Sequence, residues 1–257
     1  MQDILEKILE NKRREVEERK KQFPLKALPP VLKPGRFKAA LAKPGISIIS
    51  EFKRKSLSAG SYGNDAGPVR TALEYEQNGA DAVSILTDFT FFGGSMEDLT
   101  AVKQAIRIPV LRKDFIIDPY QILESRRGPA DAVLLIVKAM DDFTLKLLLR
   151  LCAESGLDAL VEVHDEAELD RALEAGAGFI GVNNRDLQSF QTDIRTSIDL
   201  VRHIPEGKIK VSESGIKSSA DIRRLEEAGF DAVLIGGALL ESGNAGQALR
   251  GLRGNGS

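Results

Sequence analysis

The chain has no tryptophan, one cysteine and two histidines in 257 residues. Each scarcity removes a class of chemistry. Cys152 cannot form an intramolecular disulfide, and its setting in LKLLLRLCAESG is that of a buried helical thiol rather than a nucleophile. His164 directly follows a predicted strand and His203 lies in the helical pattern IDLVRHIP, so the two do not read as a metal pair. Long apolar runs are missing as well. AVLLIV at 132–137 is far short of a membrane span, and the N-terminus lacks the succession of basic, apolar and small residues that marks a secretory signal. Neither sign of charge dominates: a formal net charge of -2 gives no global case for nucleic acid or an anionic membrane as partner. The expectation is a soluble cytoplasmic protein, monomeric or weakly oligomeric, acting on a small molecule.

What is present suits a large core, with 42% of residues hydrophobic and 29% charged. The most basic stretch, NKRREVEERKK at 11–21, interleaves its cations with Glu15, Glu17 and Glu18 at helical spacing and reads as a solvated helix face. A recurring junction organises the rest. GADAVSIL at 79–86, GPADAVLLIV at 128–137, GLDALVEV at 156–163, GAGFIGV at 176–182 and GFDAVLIG at 229–236 each follow an amphipathic segment with Gly and then an apolar strand. GISIISEF at 45–52, IPVLRKDF at 108–115 and KIKVSES at 208–214 bring the strands to eight. Apolar strands alternating with helices such as EDLTAVKQAI and ADIRRLEEAG imply a parallel sheet covered by helices, and eight units in about 210 residues favour an α/β fold of the (β/α)8 TIM-barrel type. Residues 45–254 form this expected catalytic domain. Residues 1–44, with a long helix ending before Pro24 and a shorter one in PGRFKAALAK, read as an N-terminal helical extension packed on the barrel.

In such a barrel the carboxyl ends of the strands surround the mouth. Here those ends are polar: Glu51 and Lys53 after the first, Lys113 after the third, Glu162 at the fifth, Asn183 at the sixth, Glu213 and Ser214 at the seventh. Each has a plain structural reading by itself. Glu51 and Lys53 could be an ion pair, Lys113 could neutralise Asp114, and Glu162 could cap the next helix. Buried charge is costly unless paired, however, and several inward charges converging from separate strands read together as a site. SESGI at 212–216 and LIGGAL at 234–239 follow the seventh and eighth strands. There Gly215, Gly236 and Gly237 could let backbone N–H groups approach a phosphate, although Gly also serves ordinary turns.

The motifs SEFKRKS, LTDFTFFGGSMEDL, PVLRKDFIIDPYQI, LVEVHDEAELDRAL, IGVNNRDLQSF and VSESGIKSSADI resemble those of the indole-3-glycerol phosphate synthase family, from the N-terminal helix to about residue 250. The resemblance implies conversion of 1-(2-carboxyphenylamino)-1-deoxyribulose 5-phosphate into indole-3-glycerol phosphate, carbon dioxide and water, with no metal or organic cofactor. By matched position Lys113 is the acid for ring closure, Glu162 and Lys53 serve the dehydration with the donor and acceptor roles open, and Glu51 holds Lys53 and the substrate nitrogen. Asn183 orients substrate hydroxyls, and Glu213 with Ser214 completes the polar wall. Ser56, Arg185, Ser214, Gly215, Gly236 and Gly237 match the phosphate ligands; Phe92, Phe115, Leu134 and Leu187 match the ring pocket, where a plain core reading competes from spacing alone. One departure is local. The family commonly has Ser-Pro-Ser where this chain has Ser56, Leu57 and Ser58, and the leucine frees a dihedral that proline would fix. The alternatives are a phosphoribosylanthranilate isomerase-like barrel, whose chemistry needs a Cys that Cys152 does not supply, and a non-catalytic sugar-phosphate binding module.

Overall fold

The computed structural model describes residues 4–24, 34–57, 60–62, 66–186 and 189–254. Eight parallel strands close into a barrel: β1 (Ser47–Phe52), β2 (Ala82–Leu86), β3 (Val110–Lys113), β4 (Ala132–Ile136), β5 (Asp158–Val163), β6 (Phe179–Asn183), β7 (Ile209–Glu213) and β8 (Ala232–Ile235). Closure is direct, since Ile49 of β1 stands opposite Ala82 of β2 on one side and Leu234 of β8 on the other. The expected (β/α)8 architecture is therefore present. The helix-to-strand junctions work as their glycines suggest: Gly156 and Gly229 end their helices with φ of 69° and 99°, a left-handed conformation that L side chains rarely adopt.

Strand alternation separates two apolar layers. Ile48, Phe52, Val83, Ile85, Val133 and Val161 face the helices. Ile49, Leu111, Leu134, Leu160, Val211 and Leu234 fill the barrel. A short helix, α2 (Arg36–Leu41), closes the amino-terminal end of the barrel with Phe37 and Leu41, and the Phe37 ring lies 6.1 Å from that of Phe179. The inward series continues upward by steps of two: Ile49 to Glu51, Leu111 to Lys113, Leu160 to Glu162, Gly181 to Asn183 and Val211 to Glu213. The same period that packs the barrel thus delivers charge to its carboxyl end.

The long helix, α1 (Ile4–Gln22), lies at that end. Its buried stripe is Leu5, Ile8, Leu9, Lys12 and Val16. Part of the basic stretch is solvated as expected, but Arg19 and Lys20, besides meeting Glu15 at 3.4 Å and Glu17 at 3.0 Å along the helix, reach Glu124 at 3.2 Å and Asp118 at 2.8 Å on the barrel. Lys12 departs furthest and corrects that reading. It is only 1% exposed and makes ion pairs of 2.8 Å with both Asp88, just beyond β2, and Asp114, just beyond β3. The spacing explains it: Lys12 falls four residues after Ile8 and four before Val16, on the apolar stripe rather than the charged face. Among the described residues no helix is long and apolar enough to cross a membrane.

Candidate active site

A cavity of about 640 Å³ opens at the carboxyl end of the barrel. Most of the charged groups expected there converge on it, and strand order fixes which meet. Lys53 Nζ lies 2.6 Å from Glu51 Oε1, so the pair at the end of β1 is a real ion pair, and both residues line the cavity. Lys113, inward from β3, does not neutralise Asp114. Its Nζ bonds Glu213 and lies 3.5 Å from Glu162 Oε2. Glu162 is not a helix cap either, because Asp165 caps the following helix. Asn183 Nδ2 donates to Glu162 Oε1 at 3.0 Å, while its Oδ1 accepts from the Arg185 N–H at 3.0 Å.

The electrostatics follow from burial against pairing. Burial alone would depress the Lys113 ammonium, but Glu213, Glu162 and Glu51 offset it and hold it well above the usual lysine range. For Glu51 burial pushes upward, and the Lys53, Lys113 and Arg185 cations overcome it, leaving the carboxyl below its ordinary value. Glu213 goes the other way: burial, with the like charges of Glu162 and Glu51 added, pushes it up to about 7 despite Lys113. Glu213 is wholly buried and does not itself line the cavity. Its place in the wall is behind Lys113. Gly181 makes room for it, since a Cβ there would sit 2.3 Å from Glu213 Oε1.

The apolar wall comprises Phe92, Phe115 and Leu134, with the two rings 6.2 Å apart and tilted by 35°. Leu187 lies outside the described residues. The sequence reading missed the contribution of α1, which adds Ile4, Leu5 and Ile8 to the same cavity. It also missed Asn184, whose Nδ2 donates to Ser212 Oγ and to the carbonyls of Glu213 and Ser214, tying the end of β6 to that of β7. That tie supports Ser214, held at φ 68° on the cavity wall. Left-handed backbone at a non-glycine residue marks strain concentrated at the site.

The phosphate candidates Ser56, Arg185, Ser214, Gly215, Gly236 and Gly237 all line the cavity. Ser56 Oγ lies 3.4 Å from the Tyr62 hydroxyl, in the hairpin formed by Lys55–Ser56 and Gly60–Ser61, and Leu57 also lines the cavity. Gly236 is forced by close approach. A Cβ on it would lie 2.6 Å from Glu51 Oε1 and 3.1 Å from Lys53 Nζ. Gly236→Ala therefore displaces the Glu51–Lys53 pair as well as narrowing the anion cradle. The expected result is a lower kcat together with a raised KM; steady-state kinetics showing a change in KM alone would place the glycine in anion binding only.

Fold and cavity together define a (β/α)8-barrel enzyme with its charged groups at the carboxyl mouth of the barrel. Solved barrels share this architecture at low identity: 3-hexulose-6-phosphate synthase from Salmonella typhimurium superposes with a TM-score of 0.68 at 18% identity, covering 82% of this chain and 98% of that one, which speaks to fold alone. Sequence decides the family. The model of indole-3-glycerol phosphate synthase matches residues 5–252, and the chain belongs to that family. Proteins of that name from Syntrophobacter fumaroxidans and Chlorobium luteolum are 50% and 51% identical to it, each alignment covering 93% of both chains.

Proposed function

We propose that the protein converts 1-(2-carboxyphenylamino)-1-deoxyribulose 5-phosphate into indole-3-glycerol phosphate, releasing carbon dioxide and water, as a cytoplasmic carboxy-lyase of tryptophan biosynthesis. Residues 45–254 carry the chemistry, and residues 1–44 are an extension that completes the cavity. The observation that carries the reading is the placement of Lys113. Its ammonium stands between Glu213 and Glu162 on the same cavity that Phe92, Phe115 and Leu134 line, with Glu51 and Lys53 also on it.

Ring closure has the aromatic carbon that bears the carboxylate attack the C2 carbonyl, whose oxygen gains negative charge. A fixed cation stabilises that charge without reorganisation. The raised pKa of Lys113 does not disqualify it as the acid, because an alkoxide is more basic than an amine and takes the proton as it forms. Loss of carbon dioxide restores the aromatic ring. Dehydration then removes the hydroxyl as water with one donated proton while a second proton is abstracted, and Glu162 and Lys53 divide those tasks. Glu51 holds Lys53, Asn183 orients Glu162 and the substrate hydroxyls, and Glu213 fixes Lys113 from behind while Ser214 completes the wall. Phe92, Phe115, Leu134 and Leu187 take the anthranilate ring. Ser56, Arg185, Ser214, Gly215, Gly236 and Gly237 take the phosphate.

The absence of tryptophan makes the test clean, since only Tyr62, Tyr75 and Tyr120, with weak phenylalanine, contribute background emission. Mixing protein and substrate in the presence of a chelator should generate indole emission and an equal molar amount of carbon dioxide over many turnovers. An isomerase gives no indole from this compound. Its cysteine chemistry also has no counterpart here, for Cys152 is buried in the helix Asp142–Ser155 and burial pushes its thiol up to about 12. A binding module gives at most a saturable change in the ligand's own emission, without carbon dioxide.

A further inference from the structure

His164 follows β5 by one residue and is held from one side. Its Nδ1 lies 2.9 Å from Glu168 Oε2, on the helix Glu166–Glu174, and its own backbone N–H donates to that same oxygen at 2.9 Å. A carboxylate only accepts, so Nδ1 carries a proton. The other ring nitrogen is thereby aimed: Nε2 is buried, makes no hydrogen bond among the described residues, and lies 3.4 Å from Glu162 Oε1. Glu162 is thus approached on three sides, by Asn183 and His164 at Oε1 and by Lys113 at Oε2.

We propose that His164 is a positioning residue for the reaction, clamped by Glu168 so that Nε2 faces Glu162 and fixes the orientation of that carboxylate. The inference rests on the ring-closing function proposed above. As an imidazolium, His164 directs an Nε2–H at Oε1 and so holds that oxygen in place, which suits Glu162 to the proton-accepting role in the dehydration and leaves Lys53 as donor. As a neutral imidazole with its proton retained at Nδ1, it turns a lone pair on the same oxygen and repels it. The charged groups that face the ring are Glu168 from the following helix, Glu162 from β5 and Lys138 from the turn Val137–Ala139 after β4. Burial and Lys138 lower the imidazole pKa, the two carboxylates raise it, and the balance lies above the ordinary value. The sign is therefore fixed: the catalytically useful arrangement holds at lower pH and is lost as pH rises through the raised pKa of His164.

Two measurements test this. The chain has only two histidines, so proton NMR of the imidazoles, with His203→Gln for assignment, follows the His164 titration directly. Glu162→Gln should lower that pKa by about one unit, an ordinary size for removing an adjacent opposite charge. In kinetics, Glu168→Gln should shift the alkaline limb of the kcat profile to lower pH. His164→Gln should abolish that limb and lower kcat by about tenfold with KM within about twofold, the signature of a group acting after binding. A merely structural histidine would lower stability and leave the limb in place. An His164 titration indifferent to Glu162→Gln, or unmoved pH profiles in an active native enzyme, would overturn this proposal alone. A native protein that forms no indole would overturn it together with the function on which it rests.

Discussion

Lys113→Met is expected to lower turnover by at least about a hundredfold while the protein stays folded, the usual scale for removing an acid that acts in the transition state. Methionine keeps the length of the lysine and cannot donate a proton. The surroundings indicate why the fold survives. Glu162 keeps the Asn183 amide, and Glu213, already pushed up to about 7, loses its cation and takes up a proton instead of standing as an unpaired buried charge. The sign of the accompanying stability change follows. With the Glu213 pKa raised in the folded state, the folded form binds a proton that the unfolded chain has released above the ordinary glutamate range. The variant therefore loses stability as pH rises through neutrality, more steeply than the native protein. Circular dichroism melts across pH check the second effect, and single-turnover formation of indole checks the first. A folded variant that retains more than half of native turnover removes Lys113 from its role as acid.

The parts of this molecule that could be read from sequence are those controlled by short periods. Alternation along β1, β3, β5, β6 and β7 makes Glu51, Lys113, Glu162, Asn183 and Glu213 inward-facing from sequence alone, because each extends an apolar series by two residues. Which charge meets which is a different matter. Lys113 beside Asp114 in sequence suggested a local pair, yet neighbouring residues on a strand point to opposite faces. Lys113 turns inward to Glu213, 100 residues away, and Asp114 turns outward to Arg112 and Lys12. Arg112 shows the same limit. It is fully buried, bonded to Thr87, Ser125, Glu124 and the Gln121 carbonyl, and nothing in PVLRKDF distinguishes it from a surface arginine except its place on an apolar strand. The share of α1 in the cavity was hidden for a related reason: a 3.6-residue period shows that a helix has a buried face, not what that face covers. Asn184 was masked by Asn183, since two adjacent asparagines give no pattern from which to tell the one facing the cavity from the one that braces it.

The second large effect lies at Lys12, which no part of the proposed chemistry uses. Its ammonium joins α1 to the ends of β2 and β3 through Asp88 and Asp114, all three side chains being almost completely buried. Asp88 also accepts the Phe91 N–H and so starts the short helix Phe89–Phe92 that supplies a ring to the apolar wall. Asp114 accepts from Thr87 and Arg112. Lys12→Met keeps the packing of the stem but leaves two buried carboxylates short of a cation, a change that costs about 3–5 kcal/mol when one partner of a buried pair is removed. For a chain of this size that corresponds to a fall in Tm on the order of ten degrees. The pH dependence separates this cause from simple loss of packing. Burial raises the Asp114 pKa, but Lys12 and Arg112 overcome it and hold it well below the usual carboxylate range. Its contribution to stability is therefore present above the unfolded-state pKa and is lost as pH falls through the depressed one. The deficit of Lys12→Met should be largest near neutral pH and narrow in acid, where the orphaned carboxylates can be protonated, and adding Asp88→Asn should recover part of it at pH 7. The cavity should also suffer, because Ile4, Leu5 and Ile8 ride on the same helix, so KM should rise even at temperatures where the variant remains folded. A Tm within about two degrees of native across the pH range would show that Lys12 is not the tie between α1 and the barrel, since a cation bridging two fully buried carboxylates cannot be removed at so small a cost.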